Sequence, residues 1–150
     1  MEMENKKIAI GSDHAGFELK EKIKNHLTHL GYEIVDFGTN SSDSVDYPLI
    51  AKEVAKSVAT KNPPVGILVC GTGIGMSIAA NKVKGVIAAH CYDLETAKLS
   101  RQHNNSNILA LGGRLTDTEL AKGIVDTWLE TNFEGGRHQR RVQEIRDLER

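Results

Sequence analysis

The sequence predicts an α/β fold, a Rossmann-like three-layer sandwich with a parallel sheet of about five strands and helices on both faces. Three observations carry that prediction. Short β-branched runs alternate with amphipathic stretches along the whole chain of 150 residues. One run, Val65 to Cys70, is almost wholly apolar, as a strand buried on both faces of a parallel sheet must be. Glycines and helix-capping residues stand where strands would give way to helices.

The elements follow in order. Lys7 to Gly11 reads as a strand, and Phe17 to Leu30 as a helix with Leu19, Ile23, Leu27 and Leu30 at helical spacing and Gly31 as a stop. Tyr32 to Phe37 is a second strand. A loop of turn residues then ends in Pro48, suited to open a helix over Leu49 to Val58. After the Val65 to Cys70 strand, a short helix follows Gly75. Val86 to Cys91 is a strand, and Asp93 can cap the next helix. Ile108 to Leu111 is a fifth strand. Thr116 to Glu119 has a capping-box pattern that opens a helix running through Trp128. A Gly135-Gly136 break precedes a polar helix from Arg137 to the end.

Composition bounds the function. The chain is 39% hydrophobic and 26% charged, which is ordinary for one globular domain over residues 1–150 and too apolar for disorder. A net charge of −1 argues against a general nucleic-acid binder. No apolar run approaches the roughly 20 residues of a membrane helix. The charged opening MEMENKK is not a signal peptide, and two cysteines without a secretion signal imply reduced thiols and a cytoplasmic location.

In such folds ligands bind beyond the carboxyl ends of the strands. The segment Cys70-Gly71-Thr72-Gly73-Ile74-Gly75 is the most informative of these ends. Its glycines let backbone approach a ligand, and the following helix favours an anion. The dinucleotide fingerprint fails at Met76 and the Walker pattern fails after Gly75, although Asp93 stands about where a ribose-binding acid would. A nucleotide-binding module and a plain strand-to-helix turn both stay open on the glycines alone. Cys70 adds a thiol beside a helix N-terminus, placed to act as a base, with Thr72 able to donate or relay a hydrogen bond. Cys91 reads as a buried hydrophobe.

Asp13 and His14 close the first strand and could position a hydroxylated substrate. His103, followed by Asn104, is either a dipole-satisfying group at a helix end or a general acid/base. His26, His29 and His90 read as structural. No metal-ligand spacing links Cys70, Cys91, His14, His90 and His103, so no metal is expected. Arg137 and Arg141 lie four apart on one helix face, right for one phosphate, with a solvated face or a nucleic-acid patch as rivals.

Taken together, GSDHAG, DYP, CGTGIG, SRQHNN, LGGR and EGGRHQRRV run nearly end to end in one order and resemble the ribose-5-phosphate isomerase B family. That resemblance implies interconversion of ribose 5-phosphate and ribulose 5-phosphate without metal or organic cofactor. Related isomerases of galactose 6-phosphate and allose 6-phosphate are the alternatives. It implies Cys70 as the base between C1 and C2 and His103 as the acid that opens the furanose ring. Asp13, His14, the turn from Gly71 to Gly75 and Asn104 would bind the sugar, and Arg114, Arg137 and Arg141 the phosphate. Some members use a nearby glutamate as base; here Ile74 and Gly75 follow, so the chain resembles the cysteine-based type. It implies a homodimer, or a tetramer of paired dimers, with active sites shared between subunits. The terminal helix has only Val142, Ile145 and Leu148 to bury, and is expected to pack on a partner.

Overall fold

A computed structural model describes residues 6–149; most of the charged opening stretch and the last residue lie outside the described residues. Five strands form one wholly parallel sheet: β1 (Lys7–Ser12), β2 (Glu33–Asp36), β3 (Gly66–Cys70), β4 (Ala88–His90) and β5 (Ile108–Gly112), in spatial order β2-β1-β3-β5-β4. Six helices intervene or follow: α1 (Phe17–His29), α2 (Tyr47–Ala59), α3 (Ile74–Ala80), α4 (Leu94–Gln102), α5 (Thr118–Glu130) and α6 (Arg137–Asp147). The three-layer sandwich is as expected. Among the described residues no helix is long and apolar enough to cross a membrane.

Alternation along the strands divides the core in two. Ile8 and Ile10 pack with Leu19, Ile23, Ala97, Ile124 and Trp128, so α1, α4 and α5 cover one face. Ala9 and Cys70 pack with Val54, Val58, Met76 and Ala80, so α2 and α3 cover the other. Crossovers that step one way along the sheet (β1 to β2, β4 to β5) use the first face. Those stepping the other way (β2 to β3, β3 to β4) use the second, as a constant crossover hand requires. The chain therefore leaves β1 toward one face and its neighbour β3 toward the other. The crevice this opens lies between Asp13 and Cys70.

Several boundaries move. Tyr47 rather than Leu49 begins α2, because Pro48, lacking an N–H, fits within its first turn. The cap of α5 is Asp117, whose carboxylate accepts from Leu120 N at 2.9 Å; Thr116 instead ends the preceding turn. α3 begins at Ile74, before Gly75. β4 shortens to Ala88–His90, as an edge strand paired on one side only. Asp93 does cap α4, accepting from Thr96 N at 2.7 Å in a capping box, so its carboxylate is committed to the helix rather than to a ribose.

Beneath the crevice Lys20 is fully buried, its ammonium donating to both carboxylate oxygens of Asp36 at 2.9 Å and to Thr39 O. Burial pushes the Asp36 carboxyl up, but Lys20, the Gly38 N–H and Lys24 together hold it below its usual range. This network ties the end of β2 to α1.

Candidate functional site

The loops at the carboxyl end continue the ladder. Asp13 N donates to Val69 O, Gly113 N to Cys70 O and Arg114 N to Gly71 O. The three loops are thus held side by side around a cavity of about 410 Å³, lined by Asp13, Tyr47, Cys70, Ile78 and the turn residues Gly71, Thr72, Ile74 and Gly75. Cavities of about 490 and 590 Å³ lie elsewhere, the second of them between α1 and α5, but neither contains a cysteine or a glycine turn.

Cys70 ends β3 buried against the face covered by α2 and α3. Its Sγ accepts a hydrogen bond from Gly73 N at 3.2 Å. One backbone N–H of the glycine turn is therefore aimed at the sulfur. That geometry needs Gly73 at φ +86°, and a Cβ there would lie 2.9 Å from Leu111 C and 2.7 Å from His90 Cδ2. Thr72 Oγ1 accepts from Ile74 N, leaving its hydroxyl proton free to donate outward. No side chain caps α3, so the turn keeps an electropositive opening. Gly75 lets the Tyr47 ring close over the turn: a Cβ there would lie 2.6 Å from Tyr47 Cε1.

Asp13 is buried and accepts from Gly16 N at 3.0 Å while still lining the cavity. His14 Nδ1 accepts from Val45 N at 3.2 Å, which assigns the neutral ring's proton to Nε2 and makes that atom the donor. The Arg114 guanidinium lies over Gly71, 3.4 Å from where a Cβ would stand. All of these groups share one end of the sheet.

His103, Asn104, Arg137 and Arg141 do not join them. α4 runs back from the carboxyl end, so its C-cap, His103, reaches the opposite edge, where Asn107 O accepts from Gly66 N at the start of β3. β5 alone advances about 13 Å from Ile108 to Gly112, at roughly 3.3 Å per residue. Cys70 and His103 of one chain are therefore separated by the length of the sheet.

At that amino edge α6 meets its own chain through two buried side chains. His138 and Val142 are its buried residues, while Ile145 and Leu148 stay exposed. Arg137, Arg141 and Asn104 are exposed, and His103 is half-exposed. The His138 ring stacks on His103, with centroids 4.2 Å apart and planes 13° apart, and Glu134 Oε1 lies 3.7 Å from His103 Nε2. Sequence reasoning missed Tyr47, Glu134 and His138. Tyr47 stands inside DYP, and Glu134 and His138 inside EGGRH, but no spacing relates them to Cys70 or His103. Among the described residues His103, Glu134 and His138 bring ligand atoms within 4.8 Å of one another. Rings this nearly parallel cannot aim their in-plane lone pairs at one ion unless a ring turns, so the trio suits fixing His103 better than holding a metal.

Chemically, the carboxyl end offers a thiol, a hydroxyl, backbone donors and a buried carboxylate: a carbon-acid site with an oxyanion cradle. The amino edge offers an imidazole, an amide and two exposed guanidiniums: an acid/base beside an anion grip.

The profile described as Ribose/Galactose Isomerase matches residues 8–145. The chain is 54% identical over 144 residues to the ribose-5-phosphate isomerase B of Escherichia coli K12, covering 96% of this chain and 97% of that one. It superposes on the Thermotoga maritima ribose 5-phosphate isomerase with a TM-score of 0.93 at 56% identity, covering 95% and 98% of the two chains. The Mycoplasma genitalium ribose-5-phosphate isomerase B, solved with ribulose 5-phosphate bound, superposes with a TM-score of 0.91 at 47% identity, covering 97% of each.

Proposed function

The chain belongs to the ribose/galactose isomerase family, and on that premise we propose that it interconverts ribose 5-phosphate and ribulose 5-phosphate through an enediolate. Cys70 is the base. The observation that carries this is its buried sulfur in the crevice, fixed by the Gly73 N–H at 3.2 Å and bordered by the uncapped turn. The thiolate takes the proton from C2 of the open aldose, the C2 hydroxyl proton passes to the C1 oxygen with the Thr72 hydroxyl as relay, and the thiol returns its proton to C1 as the C2 carbonyl forms. Negative charge moves onto the carbonyl oxygen, and turn N–H groups with the Thr72 hydroxyl stabilise it. Asp13 and the His14 Nε2–H orient the sugar hydroxyls. Gly71, Ile74 and Gly75 shape the wall.

Ribose 5-phosphate is mostly a furanose, so its ring must open first. His103 delivers a proton to the ring oxygen as the C1 hydroxyl releases its own. Asn104 holds the sugar beside it, and Arg114, Arg137 and Arg141 grip the phosphate, whose binding energy orients the reacting carbons. Both proton transfers use protein groups, so the assignment requires no metal or organic cofactor.

This division of labour requires two chains. The base and the ring-opening acid lie at opposite ends of one sheet, so we assign each site to Cys70 of one subunit and His103, Asn104, Arg137 and Arg141 of its partner. An isologous dimer makes two such sites by symmetry. Ile74 and Ile78, beside the cavity on α3, are 51% and 58% exposed and supply apolar surface for the contact. Pairing of such dimers would give a tetramer without altering the site.

The test is purified protein with EDTA present throughout, assayed for ketose formation from ribose 5-phosphate, allose 6-phosphate and galactose 6-phosphate. Turnover preferring the pentose is the expected result. A preference for either hexose would reassign the substrate, and no turnover at high enzyme concentration would defeat the isomerase reading.

A further inference from the structure

His138 has no role in the reaction as described, yet it is placed with more care than its surroundings require. α6 is the most polar helix of the molecule, and its two buried side chains are His138 and, one turn later, Val142. His138 is 8% exposed although it lies in the helix's first turn. Positive φ at Gly135 (66°) and Gly136 (55°) reverses the chain so that α6 returns onto the end of α4. His138 N then donates to Gly135 O, and Glu134 N to Gln102 O, joining this turn to the residue before His103. The outcome is the face-to-face stack on His103 at 4.2 Å, with Glu134 beside the Nε2 of His103.

We propose that His138 is a positioning residue for His103. Its ring fixes the plane of the His103 imidazole so that ring opening is aligned, and it takes no part in the proton transfer between C1 and C2. The proposal rests on the reading of His103 as the ring-opening acid. Electrostatics agree with the geometry. Burial first, then His103 and Arg137, lower the proton affinity of His138; Glu134 opposes them, and Arg141 adds the smallest lowering. A neutral His138 can lie flat against a protonated His103 without like-charge repulsion.

The chemistry of the ketose supplies a clean test. Ribulose 5-phosphate carries its phosphate on the C5 oxygen, so no hydroxyl remains to close a five-membered ring on the C2 carbonyl. Its C1 proton can exchange with solvent through the enediolate without any ring step. The experiment compares two rates in each variant: deuterium entry at C1 of ribulose 5-phosphate in D2O, and net conversion of ribose 5-phosphate. His138→Ala should lower conversion by about 10-fold or more, part of the roughly 10²–10⁴ of general acid catalysis, while exchange stays within about twofold of wild type. His138→Phe, which keeps a flat ring, should restore most of the conversion. Val142→Ala loosens the same helix without touching the stack, and should leave the ratio of the two rates unchanged.

Equal losses of exchange and conversion in His138→Ala, no loss of either, failure of phenylalanine to rescue, or the same ratio change in Val142→Ala would each overturn the proposal. A wild-type protein with neither exchange nor conversion is a different result. It would overturn the isomerase reading and the proposal with it.

Discussion

At the carboxyl end of the sheet the reactive groups are held by backbone. Gly73 N–H orients the Cys70 sulfur, Gly16 N–H holds Asp13, and the three loops are tied by main-chain bonds from Asp13, Gly113 and Arg114. At the amino edge they are held by side chains, with the His138 ring under His103 and a buried valine anchoring the arginine helix. A backbone scaffold fixes atoms to the precision that proton abstraction from carbon needs. In the proposed reaction each end carries half of the chemistry, and neither half is complete without the other.

Substitutions at the two ends should therefore fail differently. The largest effect belongs to the carboxyl end: Cys70→Ala should reduce kcat by about 10³-fold while substrate still binds, because only the base is lost. Cys91→Ala, at the end of β4 but facing the opposite core cluster, should stay within about twofold. Steady-state kinetics beside a binding isotherm checks both, and near wild-type kcat in Cys70→Ala would make the base another group.

Next comes the scaffold. Gly73→Ala costs about 1–2 kcal/mol for a left-handed alanine and forces contact with Leu111 and His90. We expect up to about 10²-fold loss in kcat with little change in KM, since the sulfur is displaced and the phosphate grip is untouched. A fall confined to KM would mean that the turn binds rather than aligns.

The smallest effect is that of pH on the docking of α6. His138 protonates less readily when folded than its ordinary value of 6.5, first because burial disfavours its charged form. The unfolded chain then binds more protons below that value, so docking of α6 is fully stabilised above about pH 6.5 and weakens as pH falls through the shifted value. Amide exchange in α6 should quicken between about pH 7.5 and pH 5.5 relative to the sheet, and His138→Phe should remove that difference. A difference that persists in His138→Phe would place the sensitivity elsewhere.

The two ends were also unequally legible. Strand and helix periodicity is local, so the five strands, the sandwich and the crevice follow from the sequence, with errors at boundaries that a cap (Asp117) or a first-turn proline (Pro48) decides. The glycine turn with Cys70 declares itself because φ +86° and close backbone contact select glycine at position 73. His103, Arg137 and Arg141 had only family resemblance to unite them, since no spacing relates residue 103 to residue 138. The stack exists only through the docking of α6, which is tertiary. The separation of Cys70 from His103, by contrast, was legible, because a helix joining two parallel strands must run back to their amino ends.

That separation makes the shared site the central claim, and subunit mixing tests it most directly. Cys70→Ala and Arg141→Ala should each be nearly inactive alone. When they are co-expressed, random pairing makes about half the dimers mixed, and in each of those one site collects both defects and the other none. Activity should recover to roughly one quarter of wild type. If each site were built from one chain, every site would keep a defect. A mixture that stays inactive, with mixed dimers confirmed by mass, would contradict the shared site.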